Sequence, residues 1–173
     1  MEQLRDQAVD QLSDANLPDD ERAHRFEVLF DSHFDLPAIG RFVLGPYWRR
    51  ADDAEREAFM AVFEDVMVNR FAPLFAGLDR NKLQIGEARP DGANATLFMV
   101  PTTVLRDEGE PYSIGWRLRT LDGGFKVVDV VPEGVSMAIT LRSEYTSAIQ
   151  SNGGKVAAFT EQLRKKVARS AKD

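Results

Sequence analysis

The chain has no cysteine, only two histidines, and no apolar run approaching the ~18 residues that a membrane-spanning helix needs. The missing thiols exclude disulfides, thiolate metal ligands and cysteine nucleophiles. His24 and His33 leave little from which to build a zinc site or a catalytic triad, and His33-Phe34-Asp35 has no metal-ligand spacing. There is no phosphate-cradling glycine loop, because Gly123 and Gly124 follow Asp122 where a hairpin turn is expected. Ser136 follows Gly134 and Val135 but lacks the Gly-x-Ser-x-Gly frame of a nucleophile elbow. An excess of positive charge is also missing. The 22 basic and 28 acidic residues leave a net charge of −6, without the electrostatic footprint of a nucleic-acid binder.

What remains is ordinary globular chemistry. The 173 residues are 43% hydrophobic and 29% charged, enough for one domain over residues 1–173 with a sizeable core. Charge is unevenly spread. Residues 1–35 hold ten acids against Arg5, Arg22 and Arg25, a local −7, whereas residues 142–173 carry a local +4. Such asymmetry is either a set of solvated helix faces or a surface that steers a partner or a lipid headgroup.

Periodicity divides the chain into three stretches. In the first, Leu4, Ala8 and Leu12 share a helical face over residues 2–13, and Pro18 breaks the pattern. Asp19 or Asp20 caps a second helix to about His33, with Phe26, Leu29 and Phe30 at helical spacing. A short helix from Pro37 ends at Gly45-Pro46. Asp52, with Glu55 three residues on, opens the longest helical pattern, whose apolar face runs through Phe59, Phe63, Val66, Met67 and Phe71 until Pro73 kinks or ends it. In the second stretch the period changes to two. Strands are expected at Leu83–Ile85, Ala95–Leu105, Tyr112–Arg119 and Phe125–Val131, with Pro101 implying a bulge or an edge position. In the third, helical spacing returns from Val135 to Ile149, Asn152-Gly153-Gly154 stops it, and a last helix carries Val156, Phe159, Leu163 and Val167. The fold class is α+β: N-terminal helices, a four-stranded curved antiparallel meander, then C-terminal helices.

The wide aromatic face of the long helix and the strand bearing Ile114, Trp116 and Leu118 could meet across a curved sheet. Helices wrapped on such a sheet form a cone, either plugged by its own side chains or open as an apolar cavity. Asp129, inside Val127-Val128-Asp129-Val130-Val131, is the ionisable residue of most interest. It is either a pocket base or an acceptor of backbone hydrogen bonds from the turn around Glu133–Val135.

Two stretches are more specific than their periodicity. One holds Phe34-Asp35, Val43-Leu44-Gly45, Tyr47-Trp48-Arg49 and Ala54-Glu55-Arg56 with Phe59 and Phe63. The other holds Trp116, Leu118, Gly124 to Val127, Asp129-Val130, the block Glu133-Gly134-Val135-Ser136-Met137, then Arg142, Glu144, Tyr145 and Gly153. Together, over roughly residues 20–165, they resemble the MlaC family, also known as toluene-tolerance auxiliary proteins.

The resemblance implies a periplasmic lipid carrier, mature after removal of a signal peptide, since Met1-Glu2-Gln3-Leu4 does not open a basic-then-apolar signal pattern. It implies a cone whose cavity takes phospholipid acyl chains and leaves the headgroup in solvent. It also implies exchange with an MCE-domain ABC-transporter complex in the inner membrane and a lipoprotein–porin complex in the outer membrane. The expected cavity wall comprises Val43, Leu44, Trp48, Phe63, Val66, Met67, Phe71, Leu74, Phe98, Val100, Ile114, Trp116, Val128, Val135 and Ile139, with no catalytic residue, metal or cofactor. Met60, Met67, Met99 and Met137 are available as adaptable apolar surface, or as core filler. A monomer is expected, since a shuttle must release both partners. Three alternatives stay open: a hopanoid- or sterol-type ligand for the same carrier, a small enzyme using Asp129 as base, and an interaction module whose apolar face docks a partner helix.

Overall fold

The computed structural model describes residues 1–93 and 96–170. Six helices flank one antiparallel sheet. The helices are α1 (Glu2–Leu12), α2 (Asp19–His33), α3 (Leu36–Leu44), α4 (Asp53–Phe71), α5 (Met137–Ser151) and α6 (Val156–Ser170). The strands are β1 (Leu83–Ile85), β2 (Arg89–Pro90), β3 (Leu97–Val104), β4 (Tyr112–Leu121) and β5 (Gly124–Pro132), in the order β1-β3-β4-β5, with β2 also on β3. The architecture is α+β as expected, with five strands in place of four. The extra strand, β2, has two residues and no alternating pattern from which it could be read.

Local chemistry accounts for the boundaries. Asp52 accepts from the Glu55 N–H at 2.8 Å and Glu55 accepts from the Asp52 N–H at 3.1 Å, a complete capping box that starts α4. Pro73 ends α4 in a 3₁₀ turn, Ala72–Phe75. Ser136 caps α5 through the Ile139 N–H, and Gly153 and Gly154, both at positive φ, turn the chain into α6. The strand expected from Ala95 begins at Leu97; Ala95 lies outside the described residues.

Pro101 corrects one expectation. Its strand, β3, is interior, and its register with β4 is unbroken there. The neighbour on the other side is what gives way. β1 pairs Thr102 to Val104 and β2 pairs Phe98 and Met99, so the gap between them lies opposite Pro101, which has no N–H to donate. The bulge falls elsewhere. Register slips between Arg117 and Leu118, leaving Val128 as the extra residue of β5.

The main core is helical. Phe59 and Phe63 of α4 stack at 5.5 Å, and Tyr145 of α5 and Phe159 of α6 close around them at 4.9–6.5 Å. Burial pushes the Tyr145 phenol up to about 12, so it stays a neutral core ring. Gly40 of α3 lets α4 approach, because a Cβ there would collide with the Met60 sulfur. At the other side of the bundle, buried Arg22 of α2 donates to the Leu12, Asp14 and Leu17 carbonyls. This guanidinium satisfies the open C-terminal end of α1 and fixes that helix against α2. The chain leaving α2 joins the sheet edge: Asp35 N–H donates to the Val127 carbonyl at 2.9 Å, and Lys126 Nζ donates to the Asp31 and Ser32 carbonyls.

The α2–α4 contact carries a pH dependence. Partial burial and the hydrogen-bonded Asp31 carboxyl, helped by Glu27 and Asp65, push Glu64 up to about 7. A carboxyl whose folded pKa exceeds its unfolded value binds more protons in the native state. Stability therefore falls as pH rises from the unfolded pKa towards 7. Replacing Glu64 with Gln should raise the melting temperature near pH 8 more than near pH 5. An equal change at both, measured by thermal denaturation, would show that Glu64 and Asp31 do not share a proton.

Candidate functional site

Between the helices and the sheet lies an apolar pocket of about 370 Å³, within the ~300–1,000 Å³ of small-molecule sites. Its helical wall comes from Leu4, Ala8 and Leu12 of α1, Phe26, Leu29 and Phe30 of α2, and Phe63, Met67 and Phe71 of α4. Its sheet wall comes from Ile85, Thr102, Val104, Ile114, Trp116, Val128 and Val130. Met137, Ala138 and Leu141 of α5 also reach it. These residues meet because one face of the sheet collects every second side chain of β3 and β4, with Thr102 in register opposite Ile114.

Polar groups on this wall, Thr102, Trp116 and Asp129 among them, have partners within the protein. Trp116 Nε1–H donates to Thr102 Oγ1 at 3.1 Å. Asp129, 5% exposed, accepts on Oδ2 from Arg117 Nη1 and the Ser136 hydroxyl, both at 2.6 Å, and on Oδ1 from the Ala138 N–H at 2.9 Å. Arg117 in turn donates from Nε to Asp91. Asp129 is thus an acceptor of helix-terminus donors, though from the first turn of α5 rather than from Glu133–Val135, whose own Val135 N–H goes to the Pro132 carbonyl. A carboxylate held by three donors, one of them a guanidinium, neutralises the N-terminal end of α5 and ties it to the sheet.

Of the expected wall residues, the structure brings Phe63, Met67, Phe71, Leu74, Ile114, Trp116 and Val128 to the pocket. The others lie elsewhere. Val43 and Leu44 are fully buried in the helical core, and Val66 packs against it. Val100 joins Leu118 and Val127 in a small cluster packed on Met1, Leu4, Phe34, Ile85, Trp116 and Val130. Phe98 is half-buried on the same sheet face, paired opposite Leu118 and away from the pocket wall. Trp48 lines a separate surface groove, and Val135 and Ile139 are 59% and 60% exposed. Among the methionines, Met1, Met67 and Met137 line the pocket, Met60 sits over Gly40 and Met99 over Gly115. The residues missed are chiefly those of α1 and α2. Their stripes, Leu4-Ala8-Leu12 and Phe26-Leu29-Phe30, were visible as apolar faces, and nothing in their spacing says that they face a void.

The family model described as "MlaC protein" matches residues 2–165. The chain belongs to the MlaC family. One relative, the intermembrane phospholipid transport system binding protein MlaC of Haemophilus influenzae, is 26% identical over 107 residues, 61% of this chain. That match spans half the length of the relative. Among solved structures, the phospholipid-binding protein from Ralstonia solanacearum, in complex with a phospholipid, superposes with a TM-score of 0.83 at 19% identity. The superposition covers 98% of this chain and 96% of that one, so the fold is shared end to end.

The Asp129 cluster makes a specific demand on stability. Removing the carboxylate with Asp129→Ala leaves Arg117 and two donors of α5 without their acceptor, at a cost of about 3 kcal/mol. Asp129→Asn keeps an acceptor for the Ala138 N–H and should cost less. Urea unfolding measures both, and equal, small losses would show that the cluster does not hold α5 to the sheet.

Proposed function

We propose that this protein is a phospholipid carrier of the periplasm. It buries acyl chains in the apolar pocket, leaves the headgroup in solvent, and exchanges its lipid with complexes of the inner and outer membranes. The observation that carries this reading is the pocket itself. Its wall is overwhelmingly apolar, and the polar groups Arg5, Thr102, Trp116 and Asp129 on it have partners in the protein. Such a wall recognises hydrocarbon and offers nothing that would require a polar ligand.

The physics of a carrier fits that chemistry. Each methylene withdrawn from water is worth ~0.8 kcal/mol, so two tails amount to on the order of 20 kcal/mol. A bilayer offers the same tails a similar medium. Transfer between membrane and pocket is then near neutral, while loss to water is prohibitive, and no catalytic group is needed. Asp129, the one candidate for a base, has its oxygens occupied by Arg117, Ser136 and Ala138. Support also comes from the relatives: one is a component of an intermembrane phospholipid transport system, and the Ralstonia protein was solved with a phospholipid. The membrane partners are an inner-membrane MCE-domain transporter and an outer-membrane lipoprotein–porin complex, served by a monomer.

Native mass spectrometry of the purified protein, followed by organic extraction, tests the reading. About one phospholipid per chain is expected. Phe71→Glu, which places a charge on the pocket wall, should remove the bound lipid with the helical circular dichroism signal intact. A hopanoid or sterol in the extract would change the ligand and keep the carrier. A lipid-free mass after incubation with vesicles, or unchanged occupancy in Phe71→Glu, would contradict the pocket assignment.

A further inference from the structure

A second feature lies apart from the apolar pocket and shares no wall residue with it. α3, the 3₁₀ turn Gly45–Arg49, β4 and α5 enclose an open surface groove of about 860 Å³. Four guanidinium groups line it, those of Arg41, Arg49, Arg119 and Arg142, beside the rings of Phe42 and Trp48. Among the described residues, one carboxylate pairs with these four cations. Asp35 accepts from Arg119 at 3.3 Å and is already engaged in capping α3 through the Ala38 N–H at 3.1 Å. Among the described residues, Arg41, Arg49 and Arg142 have no carboxylate within ion-pair distance. A chain of net charge −6 thus concentrates unneutralised positive charge in one groove.

The groove is built as well as charged. The Arg142 guanidinium lies over the Phe42 ring at 4.8 Å and donates to the Phe42 carbonyl at 3.2 Å. Gly45, at φ +55°, leaves that guanidinium its room, since a Cβ there would stand 3.3 Å from it. Phe42 is 41% exposed, and Ile139, one turn before Arg142 on α5, is 60% exposed. Exposed aromatic and aliphatic side chains interleaved with pre-positioned arginines are the composition of an interface centre. Arginine's planar fork suits carboxylates, and stacking lowers the entropy lost on pairing.

We propose that this groove is a docking surface for a protein partner presenting an acidic segment with apolar side chains. The carboxylates pair with Arg41, Arg49 and Arg142, and the apolar side chains cover Phe42 and Ile139. Because the groove and the pocket have no residue in common, docking and lipid loading are separable by mutation.

The test uses the full chain and a fluorescein-labelled peptide of glutamates with leucine and phenylalanine at helical spacing, read by anisotropy. Saturable binding is expected, weakening with salt and lost at least about tenfold in the Arg41→Glu/Arg49→Glu double variant. Both side chains are exposed and, among the described residues, make no ion pair, so the variant should keep its melting temperature and its bound lipid. The lipid readout separates the two proposals: an empty pocket with intact peptide binding would overturn only the carrier. Absent binding, or equal binding by both proteins, overturns the docking surface. Binding of phosphatidylglycerol vesicles but not peptide, with the same arginine dependence, would reassign the groove to a membrane surface. A wild-type dimer abolished by the double variant would reassign it to a second copy of this chain, through the acidic residues of α1 and α2.

Discussion

A buried charge on the wall of an apolar pocket must be satisfied, and here that charge is Asp129. The residue stands in the middle of a strand whose neighbours are valines, with its side chain buried at the junction of sheet and helix. Unpaired, it would hydrate the pocket or neutralise itself; paired to Arg117, Ser136 and Ala138, it joins three elements. Arg117 carries the connection on to Asp91, so that one chain of charge-assisted bonds runs from the β2–β3 connection across the sheet to α5. The bulge at Val128 adjoins this carboxylate and marks where the strand departs from regular pairing.

The remaining walls are held by polar bonds at their ends and by apolar contact along their lengths. α1 is anchored at its C-terminal end by the Arg22 guanidinium, and its acidic face by Arg80, which pairs with Asp6 and Asp10. α2 is tied at its C-terminal end to β5 through Lys126. α4 is committed to the helical core through Phe59 and Phe63, and Phe63, Met67 and Phe71 also reach the space under the sheet. A rigid aromatic core on one side and a braced sheet on the other keep the volume between them from collapsing. The side chains left to line it include three methionines, adaptable to hydrocarbon of varied shape.

Much of the fold was legible because helix ends carry their chemistry in a few adjacent residues. Asp52 with Glu55, Pro73, and Asn152-Gly153-Gly154 each act locally, and each stands where the helices begin or end. The Glu133-Gly134-Val135-Ser136 block was distinctive for the same reason: Glu133 and Gly134 take successive positive φ values and Ser136 caps the helix that follows. Features decided by distant neighbours were not legible. Pro101 signalled a defect in pairing, yet only the tertiary register shows that the neighbouring strand breaks instead. Likewise, helical spacing marked Val43, Leu44 and Ile139 as apolar without telling a sealed core from an open pocket or an exposed face. Ile139 lies outside on α5 while Ala138 and Leu141, on either side of it, reach the pocket.

We propose that hydrocarbon occupies the space against Trp116, and the chain offers a direct probe of it. It has two tryptophans, Trp116 on the pocket wall and Trp48 in the arginine groove. Phospholipid brominated along its acyl chains quenches an indole only at close range. With Trp48 replaced by phenylalanine, loading such a lipid should quench most of the remaining Trp116 emission, while the converse Trp116→Phe protein should stay bright. Quenching of Trp48 instead, or of neither, at full lipid occupancy would contradict burial of the acyl chains in this pocket.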